Sequence, residues 1–291
     1  MLWLVLSILT ALSESFKDVF SKRGIQHTDE YIVSWSLRLF AFIFLLPAFF
    51  FIEIPELGPN YWIALFFGST LNVATTLLYM KALKASDLSL TVPFITFTPL
   101  FLLLTSPLIV GEFPSLIGIL GVILIVIGSY TMNIRNVDKG WFAPFRSLFR
   151  EKGPRYMLAV AFIWSITSNV DKVGVQNSSP LFWAITVTAA IAAMLGPIAL
   201  YYSDGVRKRM QTDLLKLVPI GMFSALTLTF QMSALSLTLV AYVISIKRTS
   251  AVLAVLWGML FFGETDIRQR FIGALVMLAG LLLITLTGSM P

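Results

Sequence analysis

Long apolar runs separated by short polar gaps fill this chain from its first residues. A bilayer crossing needs roughly 20 mostly apolar residues. Reading for that length predicts ten spans, at 2–22, 31–52, 60–82, 88–110, 114–132, 156–175, 180–202, 214–235, 239–261 and 269–288. The expected fold class is an all-α polytopic membrane protein with ten transmembrane helices. The longest gap, Asn133–Arg155, mixes Arg and Lys with Trp141, Phe142, Phe145, Leu148 and Phe149, a composition suited to lying on a membrane surface. It separates a first five-helix repeat (1–132) from a second (156–291), with 133–155 as a basic and aromatic interfacial connector. Met1–Leu12 has no basic n-region and no small-residue cleavage site, so the first run is read as a retained span rather than a signal peptide.

The two halves resemble each other at a shift of about 150 residues. Lys22-Arg23-Gly24-Ile25 returns as Lys172-Val173-Gly174-Val175, and Met80-Lys81-Ala82-Leu83 as Met232-Ser233-Ala234-Leu235. Leu108–Glu112 returns as Leu260–Glu264, each followed by Ile-Gly at 117–118 and 272–273. Four matches in one order at nearly one offset indicate duplication. Because five spans is an odd number, the second repeat enters the membrane from the opposite side. The repeat is then inverted, as in many secondary transporters, whose substrate sites lie near the midplane between repeats. Sixteen of the 21 Lys and Arg fall in the connectors and flanking helix ends after spans 1, 3, 5, 7 and 9, against Lys172 alone after the even spans. The positive-inside rule then places both termini on the non-cytoplasmic side, as for a protein of the bacterial inner membrane or an equivalent one.

Composition narrows the function. The chain is 57% hydrophobic and 12% charged, outside the range of soluble domains and so of soluble enzymes. Its net charge of +6 sits in the gaps between spans, which suits membrane orientation rather than nucleic acid. Absence of cysteine excludes thiolate chemistry, and the single histidine, His27, lies in a loop, so no His-rich metal site is expected. No phosphate-binding G-x-x-x-x-G-K-[ST] loop is present. No cofactor is called for, and transport would run on gradients or exchange. An intramembrane enzyme acting on lipid phosphates is the rival class. It needs a base, nucleophile or metal at midplane, and no His, Cys or acidic cluster is offered there.

The polar residues inside the spans carry the candidate chemistry. Lys247 and Arg248 stand side by side in span 9, where two cations cost several kcal/mol unless they face protein or water. Span 1 carries Glu14, Lys17, Asp18, Ser21 and Lys22 on one helical face. Span 6 answers with Ser165, Ser168, Asn169 and Lys172. Together they are expected to wall a shared polar cavity, although Asp18 and Lys22 also fit an ordinary i,i+4 pair. Arg38 either contacts substrate or serves structure, by reaching the interface or neutralising Glu14. Lys17, Arg38, Lys247 and Arg248 against Glu14 and Asp18 leave two excess positive charges, which a dianion or a carboxylate would balance. Gln231, Asn72 and Tyr242 either hydrogen-bond the cargo or pack helices. Trp164 is read as packing more than stacking, Pro93 and Pro99 as a hinge or a kink in span 4, and Glu112 and Glu264 as caps rather than ion couplers.

Ten spans, an inverted repeat, Met80-x-Ala82-Leu83, Pro93, Pro99 and Gly111-Glu112, with Met232-x-Ala234-Leu235 and Gly263-Glu264, resemble the drug/metabolite transporter superfamily in its EamA-like branch. The Lys247-Arg248 pair resembles the Lys-Arg motif with which triose-phosphate and nucleotide-sugar translocators hold phosphate. Val243–Ile246 replaces the Gly-Asn that commonly precedes it there. The resemblance implies a membrane carrier among lipids for a small molecule. The expected function is alternating-access transport of a small anionic metabolite, phosphorylated or carboxylated, bound by Lys247 and Arg248, with coupling to protons or counter-substrate. The alternative is an exporter of amino acids or amphipathic drugs, proton-coupled through Glu14.

Overall fold

The computed structural model describes residues 1–25, 30–85, 91–133, 142–203, 206–253, 257 and 268–287. His27, Glu264 and most of span 9 beyond Leu253 lie outside them. Among the described residues the regular structure is helical throughout. The helices are α1 (Leu2–Ile25), α2 (Glu30–Leu45), α3 (Tyr61–Ala85), α4 (Thr98–Ile109), α5 (Leu116–Asn133), α6 (Ala143–Arg150), α7 (Lys152–Gln176), α8 (Pro180–Tyr202), α9 (Val206–Leu235), α10 (Val240–Lys247) and α11 (Arg268–Thr287). Leu46–Phe50 and Val92–Phe97 form tighter 3₁₀ turns. Local chemistry starts α8: Ser179 accepts from the Phe182 amide at 3.4 Å, with Pro180 following it.

Tyr31–Phe50, Tyr61–Ala82, Pro180–Tyr202 and Leu217–Leu235 are long and apolar enough to cross a membrane. Pro93–Ile109, Leu116–Met132 and Phe271–Thr287 are shorter apolar helices. The α1 and α7 helices carry the charges noted above.

The helices gather into two compact units. One consists of Ala74–Asn169 and Thr238–Pro291 (with Met1), the other of Leu2–Val73 and Val170–Leu237. Each unit draws on both halves of the sequence, so a repeat is a unit of sequence and not a compact body.

In the first unit, α5 and α11 cross in close backbone contact. A Cβ on Gly121 would stand 2.8 Å from the Gly280 carbonyl oxygen, and one on Gly128 2.5 Å from that of Gly273. The contacts are crossed, so the helices run antiparallel. The glycines are seven apart in each helix, and Gly273 and Gly280 follow Gly121 and Gly128 by 152 residues, as Met232 follows Met80. Small residues permit this approach, and lipid gives helices no other reason to associate so tightly. In the second unit the Phe16 and Phe20 rings stack on Phe223 at 5.1 and 5.5 Å. Ile32, Val33, Phe40, Leu217 and Ile220 form a buried core between α2 and α9. Trp35 Nε1 donates to the Ala192 carbonyl at 3.1 Å.

Among the described residues three expected spans depart from a continuous α-helix; span 2, read over 31–52, ends in the 3₁₀ turn Leu46–Phe50. Span 4, read as continuous over 88–110, is in its described part (from Thr91) a 3₁₀ segment followed by α4. Pro99 has no N–H to give Ile95, and the Thr98 hydroxyl donates to that carbonyl instead, at 2.8 Å. Span 9, read as continuous over 239–261, stops as a regular helix at Lys247 and turns through 248–249. There the Arg248 amide is shared between Ile244 and Ser245 at 3.2 and 3.1 Å, and Thr249 and Ala251 bond three residues back at 2.9 and 3.1 Å. The pair expected in mid-helix thus stands at a helix end.

Replacing Gly128 with Leu should cost about 1–3 kcal/mol by forcing α5 off α11. Thermal unfolding of the detergent-solubilised protein will show it, with an exposed control such as Ile127→Leu near wild type.

Candidate functional site

In the first unit, α10 is eight residues long and buried from Val240 to Ile246. Its apolar sequence, Val240-Ala-Tyr-Val-Ile-Ser-Ile246, explains why it can be surrounded by protein on all sides. The two ends carry opposite charges. Glu112 Oε2 accepts from the Val240 amide at 2.7 Å and so caps the N-terminus from another repeat. Gly111 makes this possible: its φ of +68° is a left-handed turn that reverses the chain after α4. At the other end stand Lys247 and Arg248, both partly buried. Arg248 Nη2 donates to Thr98 Oγ1 at 3.0 Å, and its guanidinium carbon lies 5.6 Å from the centre of the Trp164 ring. Tyr79 packs on Trp164 from a ring distance of 5.9 Å. Thr98 therefore joins the two irregular segments, donating to Ile95 and accepting from the residue 150 positions later.

Other expected site residues of this unit are engaged in packing. Asn169 Nδ2 donates to Thr105 Oγ1 at 3.0 Å and to the Ser165 carbonyl at 2.9 Å, while its Oδ1 accepts from Ser106 at 2.8 Å. This ties α4 to α7. Tyr242 is 3% exposed, lies 3.5 Å from Thr287 Oγ1, and occupies the space where a Cβ on Gly118 would be.

The second unit holds the remaining charges. Lys17 Nζ pairs with Glu14 at 2.6 Å and reaches Asp18 at 3.9 Å. Asp18 is 53% exposed, so it does not belong among the buried acids where the charge balance placed it. Asp171, partly buried, is the further acid here: it accepts from Trp183 Nε1 at 3.0 Å and, with Glu14, acts on Arg38. Lys172 is buried, and its ammonium donates to the Leu235 carbonyl at the end of α9. Asn72 bonds within its own helix to the Gly68 carbonyl at 2.8 Å, and Gln231 is buried in α9. Sequence reading missed Asp171, Thr98 and the partner of Glu112. Only Asp171 carried a signal, as a carboxylate beside Lys172 in an apolar run.

A family model described as the EamA-like transporter family matches residues 1–134 and 152–286. A solved structure, titled only as a crystal structure of a protein, aligns at a TM-score of 0.79 with 14% identity, covering 98% of this chain and 96% of the other. That likeness concerns the fold alone. No curated protein compared matches the sequence.

Glu112→Ala should destabilise the protein by about 0.5–2 kcal/mol, the usual worth of an N-cap, and Glu112→Gln, which keeps an acceptor oxygen, by less. Thermal unfolding of both variants measures the difference.

Proposed function

The chain belongs to the EamA-like transporter family, and we propose that within it the protein is a secondary carrier for a small anionic metabolite anchored by Lys247 and Arg248. It is an integral multi-pass membrane protein, and its cargo is a small molecule. The anionic assignment rests on one observation: the basic pair stands where a buried helix stops. Discontinuous helices are the usual seats of substrate in transporters, because they offer chain ends and side chains at membrane depth. The dipole at the end of α10 favours positive charge there, and an anionic cargo would meet the pair at that end. Arg248 offers a fork for two oxygens of a phosphate or carboxylate, and Lys247 a point charge beside it.

The rival amine cargo would need Glu14. Lys17 already lies against that carboxylate at 2.6 Å, so an amine would have to displace an ammonium. In the second unit Lys17, Arg38 and Lys172 are matched in number by Glu14, Asp18 and Asp171. Asn169, Tyr242, Asn72 and Gln231 shape the helices that carry these charges. Exchange against a second anion is the proposed coupling, since a purely cationic site would repel itself on reorienting without cargo. Alternating access carries the cargo, with both termini on the non-cytoplasmic side of a bacterial inner membrane or an equivalent one.

Purified wild type and Lys247→Ala/Arg248→Ala will be challenged with phosphates, carboxylates, amino acids and cationic drugs in thermal-shift assays. One anion class should stabilise the wild type, by about 2.7 kcal/mol at a hundredfold excess over Kd. The double variant should lose about 10- to 100-fold in affinity, the worth of one charge-assisted bond. Counterflow of that anion in proteoliposomes then tests transport. Stabilisation by amines, unchanged in the variant, would sink the anionic reading.

The chain lacks cysteine, so topology can be read with single introduced thiols. Glu56→Cys should react with impermeant maleimide in intact cells, and Glu151→Cys only after permeabilisation.

A further inference from the structure

The connector helix α6 and the residue before it turn one aromatic side chain inward and two outward. Phe142 and Phe149 are 70% and 84% exposed. Phe145 packs edge-on against Phe94 and Phe97, at 5.7 and 5.8 Å, and lies 5.6 Å from Tyr130. Beneath it a cavity of about 280 Å³ is lined by Phe97, Leu100, Ile123, Ile127, Tyr130 and Phe145, with no polar surface. Ile127 is 47% exposed, so the cavity has an accessible side. Arg146 and Arg150 stand one turn apart on α6, both exposed. Arg155 is spent otherwise, donating to the Leu148 and Phe149 carbonyls and so holding the C-terminal end of α6 in place.

We propose that this groove binds one anionic glycerophospholipid, with an acyl chain along Leu100, Ile123 and Ile127 and the phosphate on Arg146 and Arg150. An amphipathic helix with aromatic anchors lies at headgroup depth. That puts its arginines level with lipid phosphates and the apolar cavity level with acyl chains. Charge complementarity selects the occupant: a zwitterionic lipid fills the same groove but leaves both arginines with weaker partners. Phe97 and Leu100 flank Thr98 and Pro99, the turn that receives Arg248. A chain seated there supports that turn from behind, so transport rate should depend on the lipid. This last consequence rests on the carrier reading, whereas the binding itself does not.

Full-length protein in neutral detergent will be titrated with phosphatidylglycerol and with phosphatidylcholine of identical chains, read by thermal unfolding and native mass spectrometry without any transport substrate. The wild type should prefer phosphatidylglycerol roughly 10- to 30-fold, retain one copy, and lose the preference at high salt. Arg146→Gln/Arg150→Gln should bind both lipids alike. Leu100→Trp, or Ile127→Trp on the accessible side should Leu100→Trp not fold, should fill the groove and release both. Equal binding of the two lipids by wild type, selectivity surviving in the arginine variant, or retention in the folded tryptophan variant would overturn the site. A failure of the anion assay leaves these readouts untouched.

Discussion

A helix that ends at membrane depth exposes carbonyls that no water is at hand to satisfy, and each such group costs several kcal/mol in hydrocarbon. Much of the first unit can be understood as the answer to that constraint. At α10 the last amides tighten into three-residue bonds, Glu112 closes the opposite end, and Lys247 and Arg248 bring positive charge to the carbonyl end. In span 4 the Thr98 hydroxyl replaces the amide that Pro99 lacks and offers its remaining oxygen capacity to Arg248. Irregular backbone is affordable here because protein surrounds it.

The second unit handles charge differently. Lys17 and Glu14 neutralise each other within one helix, while Arg38 sits in the field of Asp171 and Glu14. Its polar stripe is largely paired within itself. In the first unit Arg248 stands next to a hydroxyl and an aromatic ring, those of Thr98 and Trp164. An arginine over an indole ring gains cation–π energy and can still turn its donors to an oxyanion.

Much of this architecture was legible in the sequence because hydropathy is a long-range average. The apolar runs marked the helices, and the amphipathic connector was recognisable from Arg146 and Arg150 among phenylalanines. The Lys247-Arg248 pair stood out because its placement is so costly in lipid. What hydropathy could not supply was the break itself. Val240–Phe261 reads as apolar whether the backbone is continuous or turned, and Pro99 signals a kink without naming Thr98 as the substitute donor. Asp171 was hidden by its neighbour Lys172, since an adjacent opposite charge reads as a helix-end pair until the fold brings Trp183 and Arg38 to it. Asn169 was legible as polar and buried, yet only the positions of Thr105 and Ser106 reveal a tether.

The crossed glycines of α5 and α11 also bear on how the chain is made. The two helices are separated by most of the second repeat, so α5 enters the membrane well before its partner leaves the ribosome. At ordinary translation rates that delay is on the order of ten seconds. During this interval the Gly121 and Gly128 face of α5 is covered only by lipid or by the insertion machinery. Neither unit closes until residues of the second half arrive, so a prematurely terminated chain leaves that notch open. Such a chain presents a ready mark for membrane-embedded quality-control proteases.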